Sequence, residues 1–296
     1  EYFAKSGKFG KIEPKNDKAK RDISRMVASA SITVSKKDCI VLPYQTSRYL
    51  EVQLEDDAME MYGNVFRNFV TEITSIDGKS TQTKKMPNIA KIAKLREIAS
   101  GIYLDDKGLY HVSQAKMKVL KNLVRRLGDV QILIWCNFIF EIELIEKELS
   151  NMGYKVGTAY GKTKDIYETL KAFKENRTQI LIAHPKTLKY GVTLVNCHNA
   201  IFNSMSYSFE DYYQAHDRIY RIGQKNSCTF YHLISKYTID EAIASRIKDK
   251  SLNSSVFEEL IKMSSRFNVS EEGVEKLKKL SQRAIAIAED ELNVSE

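Results

Sequence analysis

After Ser113 the chain alternates short, almost wholly apolar stretches with segments of helix length, and this pattern constrains the fold more than any other feature. Gln131 to Cys136, Tyr154 to Tyr160, Gln179 to Ala183, Ala200 to Phe202 and Thr229 to Ile234 each read as a strand of buried character. Between them, Met117, Leu120, Val124 and Leu127 recur at three- and four-residue spacing, and Ile142 to Leu149, Ile166 to Phe173 and Phe209 to Tyr220 read as further helices. A strand apolar on both sides must be covered on both sides, and helix-length connections suit parallel neighbours. The expected fold class is therefore α/β: a parallel sheet with helices on both faces, occupying residues 113–250.

The remainder reads as helical accessory segments. Met61, Tyr62, Val65, Phe66, Phe69, Val70 and Ile73 share one helical face, and Ile89 to Ala99 continues that spacing after a polar loop from Asp77 to Pro87. Ser31 to Leu42 reads as two short strands around a turn. Ile102 to Val112 brackets Asp105-Asp106-Lys107-Gly108, the composition of a hairpin turn rather than of an acidic metal site. Thr238 is a natural N-cap ahead of Asp240 and Glu241. Residues 1–112 are thus read as a linker and accessory region following a first lobe, and 251–296 as a helical tail. For Val274 to Ile287 a docked helix and a strap both fit.

With 296 residues, 43% hydrophobic and 28% charged, the chain can bury a core without disulfides or metals. Its four cysteines, at positions 39, 136, 197 and 228, have neither C-x-x-C nor zinc spacing and read as buried thiols. No secretory leader and no run of eighteen apolar residues is present, so a cytoplasmic, membrane-free protein is expected. Glu1 and the Lys-rich opening read as a cut inside a longer protein. The net charge of +8 favours a polyanionic partner, because Lys and Arg that neutralise phosphates release counterions.

One string carries chemistry: Gln214-Ala215-His216-Asp217-Arg218-Ile219-Tyr220-Arg221-Ile222-Gly223-Gln224. Guanidinium groups stay charged at physiological pH and grip phosphate oxygens through fixed forks. At the end of a helix, Arg218 and Arg221 would share a face and converge on one anion. An isolated R-x-x-R equally fits a solvated helix end, where cations are favoured by the dipole. The full string, however, resembles motif six of the Swi/Snf family of superfamily-two helicase-like ATPases, written Q-A-x-D-R-x-x-R-I-G-Q. Gln131 to Phe138, ending Trp135-Cys136-Asn137-Phe138, is similar to motif four of that family. Leu188-Lys189-Tyr190-Gly191-Val192-Thr193-Leu194 resembles motif five, departing from A-G-G-x-G-L-N-L by keeping one glycine and placing Thr193 where Asn is usual. Leu95-Arg96-Glu97-Ile98-Ala99 and Ser113-Gln114-Ala115-Lys116 resemble the family's approach to its second lobe.

The resemblance implies a RecA-like C-terminal motor lobe of an ATP-dependent double-stranded DNA translocase. Arg218 and Arg221 would be catalytic, reaching the γ-phosphate across a cleft. Gln214, Asp217, Gly191 and Gly223 would shape the nucleotide side, while Asn137, Lys189 and Thr193 would face nucleic acid. ATP and Mg2+ would be held mainly by a first RecA-like lobe of the same parent chain. No G-x-x-x-x-G-K followed by Ser or Thr occurs; Ser6-Gly7-Lys8-Phe9-Gly10-Lys11 has the wrong spacing, and Ile12 stands where a hydroxyl is needed. The chain alone is therefore expected not to hydrolyse ATP efficiently. A Rossmann enzyme would need G-x-G-x-x-G after its first strand, which is absent. An RNA helicase would show H-R-x-G-R-x-x-R. A degenerate lobe acting only as a nucleic-acid or protein binding module stays open.

Overall fold

The computed structural model describes residues 3–6, 11–14, 17–30, 41–75, 86–188, 191–206, 208–249, 261, 264–275 and 278. In chain order its strands are β1 (Phe3–Ser6), β2 (Lys11–Pro14), β3 (Gln45–Val52), β4 (Ile102–Asp105), β5 (Gly108–His111), β6 (Ile132–Trp135), β7 (Val156–Ala159), β8 (Ile180–Ala183), β9 (Asn199–Phe202) and β10 (Cys228–Ser235). The helices are α1 (Asp17–Ala30), α2 (Asp56–Ser75), α3 (Met86–Ala99), α4 (Ala115–Leu127), α5 (Ile139–Asn151), α6 (Ile166–Lys174), α7 (Phe209–His216) and α8 (Ile239–Asp249). Six strands form one parallel sheet in the order β3-β10-β9-β6-β8-β7, a RecA-like α/β arrangement. β1–β2 and β4–β5 are separate antiparallel hairpins.

Period-two alternation divides the central strands between two apolar layers. Leu133, Trp135, Leu181, Ala183, Ala200, Phe202 and Phe230 point to one side, where Tyr212 and Ala215 of α7 and the loop residues Leu188, Leu194 and Ile219 cover them. Ile132, Ile134, Ile180, Ile182, Ile201 and Leu233 point to the other, under Leu120 and Val124 of α4 and Ile142, Ile145 and Leu149 of α5. Each fully buried branched side chain contributes about 1.5–3 kcal/mol, which explains why these strands tolerate so little polarity. A third cluster joins Leu54, Tyr62 and Phe66 to Leu95, Ile98 and Ala99, and docks them on Ile239 and Phe267. Tyr62 also accepts a hydrogen bond from Ile239 N at 2.8 Å, so the accessory helices are fastened to the first turn of α8.

The structure departs from the sequence expectations in three places. The sheet takes its edge strand, β3, from residues 45–52, ahead of the expected span 113–250; β3 pairs with β10, so the sheet's limit was set by a partner far along the chain. Helix α7 stops at His216 instead of running to Tyr220, because Arg218 N turns to Ala215 O at 3.2 Å and Arg218 O accepts Leu194 N at 2.9 Å. The hairpin is shorter than Ile102 to Val112, ending at His111. Residues 31–40 of the expected strand pair, and most of the tail from 274 to 287, lie outside the described residues.

Candidate functional site

Two polar groups flank the helix α7. At the C-terminal ends of the strands, β6 leads into Asn137, β8 into His184 and β9 into Asn203 and Ser204, the crevice in which open parallel sheets place ligands. Asn137 N donates to Ser204 Oγ at 2.8 Å and Asn137 Nδ2 to Ser204 O at 2.8 Å, tying two strand ends together. Beneath them lies Glu141, in the first turn of α5 and 1% exposed. Its carboxylate accepts from Ser204 Oγ at 2.6 Å, Asn203 Nδ2 at 3.1 Å and the backbone N–H groups of Asn137 and Phe138, each at 3.2 Å. Arg96 of α3 donates to Met205 O at 2.7 Å and lies 5.1 Å from the Phe138 ring centroid. The His184 ring accepts from Lys186 N at 3.2 Å, and burial holds its pKa below the usual imidazole value.

The second group lies beyond the other end of α7. This helix is capped by Ser208, whose side chain accepts from Asp211 N, and its eight residues span about 12 Å, separating Asn137 from the arginines. The loop after β8 and the turn after α7 meet there: Arg218 donates from Nε to Gln214 O at 2.9 Å and from Nη1 to Val192 O at 3.1 Å. Arg218 is 8% exposed, and its pKa is lowered by burial and then by the Arg221 charge, with Asp217 opposing. Arg221 is half-buried and has no hydrogen bond or ion pair among the described residues. Two guanidiniums thus lie within electrostatic reach of each other, Arg218 bonded to two loop carbonyls and Arg221 with no carboxylate partner among the described residues.

The other sequence-derived residues are placed as follows. Gln214 donates from Nε2 to Glu210 Oε1 at 2.7 Å, while its buried Oε1 has no hydrogen-bond partner. Asp217 follows the last residue of α7 and is half-buried. Gly191 and Gly223 hold φ of +72° and +96°, the left-handed region that glycine adopts without strain. Thr193 is half-buried in the loop that Arg218 grips, and Lys189 lies outside the described residues. The structure thus gathers Gly191, Thr193, Gln214, Asp217, Arg218, Arg221 and Gly223 around one junction and leaves Asn137 apart from it. Shared helical spacing does not bring the arginines together, since both fall past the end of α7; the turn from 217 to 224 does.

Three positioning residues were not assigned from the sequence. Gln224 is 6% exposed and uses both ends of its amide, donating to Cys197 O at 2.9 Å and Ile219 O at 3.0 Å while accepting from Lys225 N and Asn226 N at 2.9 Å each. Its place at the end of the quoted string was the available signal. Arg96 stood in a quoted segment without a role, and Glu141 was signalled only by an acidic side chain in a helix's first turn. The aromatic residues near the site are largely core: Tyr212 and Tyr231 are buried, Tyr212 Oη lies 3.0 Å from His232 Nε2, and His216 stacks on Phe230 with centroids 3.8 Å apart. Among the described residues no cluster of three or more His, Cys, Asp or Glu side chains is placed to hold a metal, and no helix is long and apolar enough to cross a membrane.

Comparison with known proteins assigns this architecture to a class. Residues 115–223, from the start of α4 to Gly223, match the helicase conserved C-terminal domain. The chain is 28% identical over 145 residues to the ATP-dependent helicase FUN30 of Saccharomyces cerevisiae, covering 47% of this chain and 13% of that protein. It is 30% identical over 150 residues to the DNA excision repair protein ERCC-6-like of Mus musculus, covering 49% and 12%. Among solved structures, the C-terminal part of the Fun30 ATPase domain superposes with a TM-score of 0.57 at 19% identity, over 77% of this chain and 99% of that one. The Sulfolobus solfataricus SWI2/SNF2 ATPase core in complex with dsDNA gives 0.58 at 20% identity, over 89% and 57%. Residues 115–223 are thus a helicase conserved C-terminal domain on a RecA-like fold, and the relatives and solved structures that this chain resembles are Snf2-family ATPases. Its matched segment spans about an eighth of the length of those two curated relatives.

Proposed function

We propose that this lobe is one half of an ATP-dependent double-stranded DNA translocase, acting inside the cell and closing against a first RecA-like lobe of its parent protein. The observation that carries the reading is the Arg218–Arg221 pair: among the described residues Arg221 has no anionic partner, and Arg218 holds the loop beside it. ATP and Mg2+ would be held chiefly by the first lobe, with a γ-phosphate as the anion that Arg221 meets. Bound there, ATP supplies the free energy of its hydrolysis to lobe closure. Arg221 then neutralises charge that develops on the transferred phosphoryl oxygens, a contribution of about 10³-fold or more in rate for such an arginine. Arg218 acts with it through its charge and by fixing the position of Val192 and Thr193, while Gly191 and Gly223 supply the two turns that the junction needs.

Asn137, Lys189 and Thr193, with the basic overall charge, are assigned to the DNA backbone, a contact that needs no sequence readout. One of the solved SWI2/SNF2 cores that resemble this chain is bound to dsDNA, which supports the choice of duplex as partner.

The test is DNA-stimulated ATP hydrolysis by the intact parent, wild type against Arg221→Ala, with this chain alone as control. Stimulated hydrolysis in the parent, a loss of several hundredfold or more in the variant and silence from the chain alone are expected. Unchanged hydrolysis in the variant removes Arg221 from the site. A parent with no stimulated hydrolysis turns the lobe into a binding module, a reading favoured by one observation, the fully structural engagement of Arg218.

A further inference from the structure

We propose that Arg48, Arg125 and Arg126 form a phosphate-binding patch that holds a stretch of duplex DNA outside the crevice at the strand ends. Arg48 lies on β3, opposite Tyr231 in the register with β10. Residues that face each other across a strand pair share a side of the sheet, and Tyr231, Leu233, Leu50 and Val52 all belong to the apolar layer under α4. Arg48, two residues before Leu50 and about 7 Å from it along the strand, therefore points to that same side. It is exposed, whereas Leu50 is half-buried and Val52 buried, so the cover over β3 thins toward the start of the strand. Helix α4 runs antiparallel to β3, since Lys118 Nζ meets Glu55 Oε1, just past the end of the strand, at 3.5 Å. Arg125 and Arg126, in the last turn of α4, lie about 10 Å further along the helix and so come level with the first half of β3.

Pairing sets these three cations apart from their neighbours. On α4, Lys116 pairs with Asp240, Lys118 with Glu55 and Lys121 with Glu148, while Glu51, beside the patch, pairs with Lys236 at 2.8 Å. Arg48, Arg125 and Arg126 are exposed, and among the described residues none has a carboxylate partner; Arg125 reaches only Asn122 Oδ1 at 3.3 Å. The helix dipole favours cations at the end of α4 and so accounts for Arg125 and Arg126, but not for Arg48 on a strand. Arg125 and Arg126 line an open groove of about 660 Å³ whose lining includes Leu50, Val119 and Leu123. Those apolar side chains already pack into the core, half-buried or buried, and leave little surface for a protein segment to cover. The guanidiniums are what the patch offers, and their fixed forks suit the repeated phosphates of a nucleic-acid backbone, a contact that needs no base recognition. Because α4 covers the sheet face opposite α7, DNA held here leaves Arg218 and Arg221 clear. The patch thus adds a second hold on DNA, independent of hydrolysis at the motor cleft.

The test is fluorescence anisotropy of a short labelled duplex of random sequence, titrated with the full chain over a series of salt concentrations. The triple variant Arg48→Gln, Arg125→Gln, Arg126→Gln is expected to bind about tenfold or more weakly near physiological salt, with the slope of log affinity against log salt shallower by about 2–3. All three side chains are exposed, so the variant is expected to keep its far-ultraviolet spectrum. A control variant, Lys155→Gln with Lys171→Gln and Lys174→Gln, removes the same charge from exposed positions just before β7 and on α6, by the opposite edge of the sheet. It is expected to keep its slope and to bind within about threefold of wild type, because charges more than a Debye length away are screened. An unchanged slope in the triple variant, an equal loss in the control, or no saturable binding by wild type would each overturn the proposal. So would displacement of the duplex by polyglutamate as readily as by unlabelled duplex, which would make the patch a site for an acidic protein segment. None of these results bears on Arg221→Ala, whose hydrolysis in the parent tests the motor reading separately.

Discussion

Because Arg218 directs Nε to Gln214 O and Nη1 to Val192 O from a nearly buried position, its removal strips charge-assisted bonds from two loop carbonyls. Arg221, three positions on, has no such bonds among the described residues. Chemical denaturation of this chain should separate the two: Arg218→Ala is expected to cost about 1–3 kcal/mol, and Arg221→Ala to stay within about 0.5 kcal/mol. Equal losses would mean that both arginines are structural. His184 offers a second residue-level test. Burial holds its folded pKa below the unfolded value, so the unfolded chain binds more protons as pH falls below about 6.5. Stability is therefore fully present above that pH and declines as the pH falls through the folded pKa. His184→Gln is expected to flatten this decline between pH 7 and 5, measured by urea midpoints at each pH, and an unaltered slope would remove His184 as its source.

At the scale of elements, α8 shows how one residue fastens two parts of the fold. Thr238 Oγ1 donates to Ser235 O at 2.8 Å and accepts from Asp240 N at 3.2 Å, while Ile239 N donates to Tyr62 Oη at 2.8 Å. Tyr62→Phe keeps the ring packing against Phe66 and Phe267 but leaves a buried N–H without its acceptor, at an expected cost of about 1–3 kcal/mol in a thermal or urea melt. No change would show that the accessory helices are held by apolar contact alone. The Thr238 cap was legible because Thr followed by Asp and Glu is a local signal; Tyr62 was legible only as a core position, since its hydroxyl partner lies 177 residues away. The same contrast runs through the sheet. Ile132–Trp135 and Ile180–Ala183 were readable because complete burial forces every position to be apolar. β3 was not, since an edge strand with Tyr49, Leu50 and Val52 among polar residues carries a weak local pattern, and its register with β10 is fixed by distant residues. Helix α7 was read four residues too long because Ile219 and Tyr220 continue its apolar spacing, while the bonds that end it come from the neighbouring loop.

In the whole molecule, one face of the sheet is given to α4 and α5 and the other to α7 and the loops that carry the arginines. The accessory helices reach the C-terminal strand ends through Arg96, which bonds Met205 O and lies over Phe138, so that crevice and the helical region are mechanically joined. The candidate site was legible as a string of residues, but its geometry was not: the junction of the 191–194 loop with the 217–224 turn depends on backbone bonds such as Leu194 N to Arg218 O at 2.9 Å. Under the proposed function, Arg221, without a carboxylate partner among the described residues, acts when phosphoryl charge develops, and little before. The most direct measurement is steady-state ATP hydrolysis by the intact parent with saturating duplex DNA, resolving kcat and KM for wild type and Arg221→Ala. The expected result is a fall in kcat of about 10³-fold with KM changed by only a few-fold. A raised KM with kcat preserved would contradict it, showing that Arg221 merely helps to hold the bound nucleotide.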